Sequence, residues 1–328
     1  QFLPLYLRFV KGVVDCADLP LNVSREMLQE DREVEPIRSA LTRRVLDMLE
    51  KIATEEPERY REFWREFGQV LKEGVAEDPA NRERIAKLLR FSTTRSEGAE
   101  QDQSLSDYVA RMPEGQKDIH YVAADSLAAA RGSPHLEALR RHGVEALLLT
   151  DRVDEWMAGH LGEFEGRTLR DAARGALDIG GLAAEGERKA AAVAGSAIEG
   201  LCARVAARLG ERLAGVRPSE RLSESPSCLV REEHDLGPQL RRLLEAAGQT
   251  LPASRPWLEL NPGHPLVRRL DSTPDGDAFD DLAALLHDEA VLAEGGALED
   301  PAGFVRRLNR VLEAAPAEAP SIIVPGAG

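Results

Sequence analysis

Apolar positions along this chain change period several times, and each change predicts a different element. Residues 2–14 open almost continuously apolar and predict a strand ending at Gly12. Leu19-Pro20-Leu21-Asn22 predicts a loop. Pro36 stands where a first helical turn begins, and Ile37, Leu41, Val45, Met48, Leu49 and Ile52 follow at spacings of three and four. That is a helix with one buried face. Pro57 opens a second helix, with Tyr60, Phe63, Trp64, Phe67, Val70 and Leu71 as its stripe. Asp78-Pro79 marks a cap and first-turn proline for a third, carrying Ile85, Leu88 and Leu89. Residues 92–104 predict a polar loop.

The rhythm then alternates. A short strand at 118–124 is followed by helices at 126–131 and 134–142, then a fully apolar strand at 144–150. Asp151 caps a helix running through Leu161, and 167–172 is a final strand. Strand, helix, apolar strand, helix is the pattern of a small α/β layer with parallel pairing. Residues 174–190, rich in Gly, Ala and charge, mark a boundary. Beyond it, Ile198, Leu201, Val205 and Leu209 form one helical stripe. Strands at 216–221 and 227–231 are joined by a turn at Glu224-Ser225-Pro226. A helix over 236–247 closes at Gly248, Trp257–Leu260 is a strand stub, and 264–270 is a short helix. Two longer amphipathic helices follow at 277–293 and 301–314, and the Pro/Ala-rich tail 316–328 is expected to be disordered.

Composition narrows the function classes. The 328 residues suggest roughly two or three domains. With 43% hydrophobic and 30% charged residues, the chain buries a core; with 5% aromatics, that core is mostly Leu, Val and Ala. A net charge of −15 argues against nucleic acid as the main partner and against a polybasic membrane anchor. Cys16, Cys202 and Cys228 are few, odd in number and far apart, so neither a disulfide framework nor a cysteine zinc site organises the fold. This points to a reducing, cytoplasmic setting. The start at Gln1, inside an apolar stretch and without Met, suggests a chain cut inside a domain.

Catalytic machinery is thin. The seven histidines include no HExxH pair, no GxSxG elbow exists, and Gly180-Gly181 lacks the Lys-Ser/Thr of a phosphate loop. No metal site is expected. Cys16 is a buried small hydrophobe before it is a nucleophile, since no basic activator lies near it in sequence. Arg25, just after the proline loop, leaves two readings open. One is a helix-start arginine paired with Glu26 or Asp31; the other is a guanidinium presented to a phosphate, whose oxygens its planar fork fits.

One further set of motifs runs through nearly the whole chain. Tyr6-Leu7-Arg8-Phe9-Val10-Lys11-Gly12-Val13-Val14-Asp15, then Leu19-Pro20-Leu21-Asn22-Val23-Ser24-Arg25-Glu26, resembles the middle domain of the heat-shock protein 90 chaperone family, most closely its bacterial branch. The likeness continues at Phe63-Trp64-Arg65-Glu66-Phe67-Gly68, Leu88-Leu89-Arg90-Phe91-Ser92, Asp151-Arg152-Val153-Asp154-Glu155-Trp156 and Leu258-Glu259-Leu260-Asn261-Pro262. The resemblance implies an ATP-driven homodimeric chaperone of which this chain carries the middle and C-terminal domains. ATP and Mg²⁺ would then belong to the full-length protein, with none expected in this fragment and no ATP hydrolysis by it alone. Arg25 would contact the γ-phosphate, with Gln29 on the same loop.

The expected layout is α/β and α+β. It comprises the end of a large middle subdomain with the phosphate-contacting loop (1–34), a helical connector (35–112) and a small α/β middle subdomain (113–175). A linker (176–190), a C-terminal dimerisation domain (191–315) and the tail (316–328) complete it. Leu236, Leu240, Leu243 and Leu244 share one helical face, either a core face or, with Trp156, a surface for non-native client proteins. Leu282, Leu285 and Leu286, with Phe304, Leu308 and Leu312 on the next helix, form either an intrachain core or a homodimer interface. The chain departs from the family at Leu5, normally polar or basic, and it carries no acidic Met-Glu-Glu-Val-Asp tail, so no tetratricopeptide co-chaperone is expected. The competing function is a non-catalytic dimeric interaction scaffold.

Overall fold

The computed structural model describes residues 2–13, 34–177, 182, 184–252 and 254–313. They divide into two units: Gln1–Glu187 with Arg231–Ser254, and Arg188–Val230 with Arg255–Gly328. The fold is mixed α and β with two sheets.

In the first unit, helices α1 (Val34–Glu55), α2 (Pro57–Glu77) and α3 (Arg82–Leu88) pack around Leu46, Leu49, Leu71, Val75, Ile85 and Leu88, all buried. Residues 2–13 do not form the expected strand. Pro4 turns the chain into a single 3-10 turn, Leu5–Leu7, in which the successive residues Tyr6 and Leu7 are both fully buried. A strand would send them to opposite faces. The Tyr6 ring lies so close to Gly74 of α2 that a Cβ there would stand 2.7 Å from it. The Tyr6 hydroxyl donates to Asp78, and burial pushes its pKa far up. Asp78 accepts from the Asn81 backbone N–H, so Asp78-Pro79 is a turn and α3 starts three residues later than its sequence signal.

The next elements are β1 (Ser92–Thr93), α4 (Leu105–Ala110), β2 (Ile119–Ala123), α5 (Leu127–Arg131), α6 (Glu137–Arg141), β3 (Ala146–Leu149), α7 (Asp154–Leu161), β4 (Glu163–Phe164) and β5 (Arg167–Asp171). Their sheet has the order β1-β3-β2-β5-β4, with β2 parallel to both β3 and β5. The expected loop at 92–104 thus contributes an edge strand. Ser92 and Thr93 are buried, and the Ser92 hydroxyl is satisfied by the Glu100 carbonyl. Asp151 does not cap α7; its backbone N–H donates to Asp154, and its carboxylate turns elsewhere.

The remaining elements are α8 (Glu185–Ala197), α9 (Glu199–Leu209), β6 (Gly215–Pro218), β7 (Ser227–Val230), α10 (Pro238–Ala246), β8 (Trp257–Leu260), α11 (Pro265–Ser272), α12 (Asp277–Ala293) and α13 (Pro301–Glu313). Helix α8 begins inside the expected linker, where, despite Gly186, residues Glu187–Ala192 are good helix formers. The second sheet has the order β6-β8-β7. Strands β6 and β7 are therefore not hairpin partners. The supposed stub β8 lies between them, parallel to β6 and antiparallel to β7. Buried Glu259 of β8 binds it to β6 and the residues after it: its carboxylate takes Arg217 and Arg221, each at 2.9 Å, and the Ser219 hydroxyl at 2.9 Å. Phe279, Leu282 and Leu286 of α12 join Leu201 and Val205 of α9 in the core against this sheet. Cys202 and Cys228 are buried thiols, and burial pushes Cys202 up to about 11. Cys16 and the tail lie outside the described residues.

Candidate interaction site

The sequence-selected client residues lie on α7 (Trp156) and on or just before α10 (Leu236, Leu240, Leu243 and Leu244), and both helices belong to the first unit. Behind them lies a buried ionic network. Lys72 of α2 is fully buried, and its Nζ stands 2.8 Å from Asp151 and 2.7 Å from Asp154. Gln101 and Gln69 donate to the two Asp151 oxygens at 3.0 and 2.8 Å, and Trp64 Nε1 donates to Gln101 at 3.0 Å. The ammonium also lies 4.9 Å from the centre of the Phe91 ring.

The electrostatics follow from this enclosure. Burial alone would raise Asp151, but the Lys72 charge and the amide donors outweigh it and hold that carboxyl below the usual range. Burial pushes Asp154 up despite the same lysine. Burial alone would lower Lys72, yet its two carboxylates hold it above its usual value. The network pins the start of α7 to α2.

The next two residues of α7 face a different task. Trp156, half-buried, packs on His160 with ring centres 4.7 Å apart. Glu155 is buried, and its Oε2 accepts the Leu240 backbone N–H of α10 at 2.8 Å. A second tie joins Arg242 to Asp125 in two hydrogen bonds of 2.9 and 2.6 Å. Leu236, Leu240 and Leu244 are half-buried, while Arg242 and Glu245 on the other side are exposed. Leu243 shares the helix, but its side chain is outside the described set. The structure thus ties α7, the helix that carries Trp156, to α10 through Glu155 and the Leu240 backbone.

The second set of candidates divides. Leu282, Leu285 and Leu286 are buried within their own unit, and Leu282 and Leu286 belong to its core. Phe304 and Leu308 are half-buried, while Leu312 is 62% exposed. Val305 (52%) and Leu292 (46%) are exposed as well. Ion pairs fasten α13 to α12, Arg307 to Asp288 and Arg310 to Asp281, each at 2.6 Å. Arg25 and Gln29 lie outside the described residues. Among the described residues, no group of three or more His, Cys, Asp or Glu is gathered that could hold a metal, and no single helix is long and apolar enough to cross a membrane.

Sequence reasoning missed Lys72, Glu155 and Asp125. Lys72 had a visible signal: it falls on the same helical face as Trp64, Gly68 and Val75, where a charge needs a buried partner.

Comparison with known proteins places this architecture. The Hsp90 protein family model matches residues 1–319, and the chain belongs to that family. It is 54% identical over 312 residues to the chaperone protein HtpG of Chromobacterium violaceum, covering 95% of this chain and 49% of that protein. Identity to the chaperone protein HtpG of Dechloromonas aromatica is 54% over 314 residues, covering 96% and 49%. The chain spans about half the length of these relatives.

Proposed function

We propose that this chain is the client-binding and self-associating half of a cytoplasmic Hsp90-type chaperone. The observation that carries the reading is the half-exposed Leu240 and Leu244 of α10, a helix tied to the Trp156-bearing α7 through Glu155 and flanked by the exposed Arg242 and Glu245. An apolar strip with a charged rim accepts many non-native segments without demanding one sequence. In the longer protein, ATP with Mg²⁺ drives clamp-like closure of a homodimer, and Arg25 and Gln29 serve the γ-phosphate.

Replacing Leu240 and Leu244 with Ser tests the strip. Because both are half-buried, melting should fall only slightly, while suppression of a model client's aggregation should weaken several-fold. A loss of about 4 kcal/mol or more, the scale of emptied core sites, would make them core residues and end this reading. Unchanged suppression would leave a dimeric scaffold instead. For the phosphate contact, Arg25→Ala in the longer protein should lower ATP turnover about 10²-fold, the scale of losing one electrostatic donor. Unchanged turnover would remove Arg25 from the chemistry.

A further inference from the structure

Strands β7 and β8 are antiparallel neighbours, which a tight turn can join. The chain instead runs through residues 231–256 between them, and 231–254 cluster with the first unit. The root of this excursion is held by backbone: Arg231 N–H donates to the Ala173 carbonyl at 3.1 Å, and Gly175 N–H donates to the Arg231 carbonyl at 2.8 Å. Its tip is held differently. Leu240 N–H is one of the amides a helix leaves unpaired at its start, and Glu155 from another helix takes it. The carboxylate also faces the positive end of the α10 dipole. Gly237 makes the approach possible, since a Cβ there would stand 2.4 Å from both Glu155 oxygens.

The other tip contact, Arg242 to Asp125, is an exposed ion pair, which salt screens and which contributes little. A helix as short as Pro238–Ala246 does not persist by itself in water. Within the segment Arg241 donates to the Pro252 carbonyl at 2.9 Å, and hydrogen bonds to Glu155 and Asp125 tie α10 to the layer beneath it, whereas the root is held by backbone. We propose that residues 231–252 form a releasable strap: Glu155 and Asp125 dock α10 on the small α/β layer with Leu240 and Leu244 half-covered, and opening this clasp delivers these leucines to a non-native polypeptide. Glu155 is a positioning residue here, acting through α10. The proposal rests on the reading of α10 as the client strip.

Hydrogen exchange of the 240–246 amides in the whole chain tests it, together with binding of reduced, carboxymethylated α-lactalbumin as the non-native probe. Glu155→Ala and Gly237→Ala open the clasp from opposite sides. Both should speed exchange at 240–246 at least about tenfold, leave the β2 and β3 amides protected, and tighten probe binding several-fold. Glu155→Gln keeps an acceptor oxygen and should restore most of the protection. Unchanged exchange in both opening variants overturns the strap, as does faster exchange with unchanged or weaker probe binding. Adding Leu240→Ser and Leu244→Ser to Glu155→Ala separates the two ideas. Loss of the gain supports both, whereas a gain that survives overturns the leucine strip and leaves the clasp standing.

Discussion

Lys72→Met is expected to destabilise the first unit by roughly 3–5 kcal/mol, the cost of leaving a buried charge without its partner. Removing the ammonium strands Asp154, which is almost wholly buried, and Asp151, whose low pKa depends on that charge. The loss should depend on pH with a definite sign. In the native chain, Asp151 titrates below its unfolded value, so its contribution is present above that value and fades as pH falls through the folded one. Asp154 is raised, so its own contribution runs the opposite way and is lost as pH rises. Without Lys72, both carboxyls are raised by burial, and the variant loses stability as pH climbs from about 4 to 7. Urea unfolding at pH 5 and at pH 7.5 should therefore show a wider gap to the native chain at the higher pH. Asp154→Asn on the Lys72→Met background should recover part of it. A loss under about 1 kcal/mol, or equal losses at both pH values, would mean that water reaches the network. Because α7 carries Glu155 and Trp156, the same variant should also disturb α10.

How much of this was legible in the chain differs by element. Helices α12 and α13 were readable almost to their ends because Phe279, Leu282 and Leu286 repeat at helical spacing over several turns. The parallel layer was readable because the strand at Ala146–Leu149 is apolar on both faces, as a strand covered by helices must be. Strand order was not. Nothing local in Trp257–Leu260 tells that β8 inserts between β6 and β7; the carboxylate of Glu259 ties it to Arg217 on β6 and to Ser219 and Arg221 just beyond, which accounts for the β6 neighbour alone. The opening turn misled because Tyr6 and Leu7 have strand-like chemistry, while the Tyr6 ring is seated against Gly74 about seventy residues away. At the candidate site, the leucine spacing of α10 was visible, but its partner was not. Glu155 follows Asp154 in sequence, and only tertiary packing sends one to Lys72 and the other to α10.

A chain that self-associates through α13 should lose that property when Leu308 and Leu312 are both changed to Asp. These residues are four apart and so share a helical face, with Val305 three before Leu308. The opposite attachments are already used: Arg307 and Arg310 bind Asp288 and Asp281 of α12. What the described residues leave uncovered is a stripe of apolar side chains on α13, with Leu292 at the end of α12 exposed as well. A second copy is the occupant argued for, since a two-fold axis lets the same stripe cover itself and makes two helices per chain into a four-helix bundle. Each leucine occurs twice across such an interface, and burying one is worth about 1.5–3 kcal/mol. The double substitution should then weaken association by about 10³-fold or more. Sedimentation at micromolar concentration should give a dimer for the native chain and a monomer for the variant, and deletion of residues 299–328 should give the monomer as well. Melting of the variant monomer should change little, because Leu312 is already 62% exposed in one chain. By contrast, Leu282→Ala and Leu286→Ala should each cost about 2–5 kcal/mol by opening the core under α12. A native chain that sediments as a monomer would sink the proposed interface, and a variant that remains dimeric would move it off this face of α13.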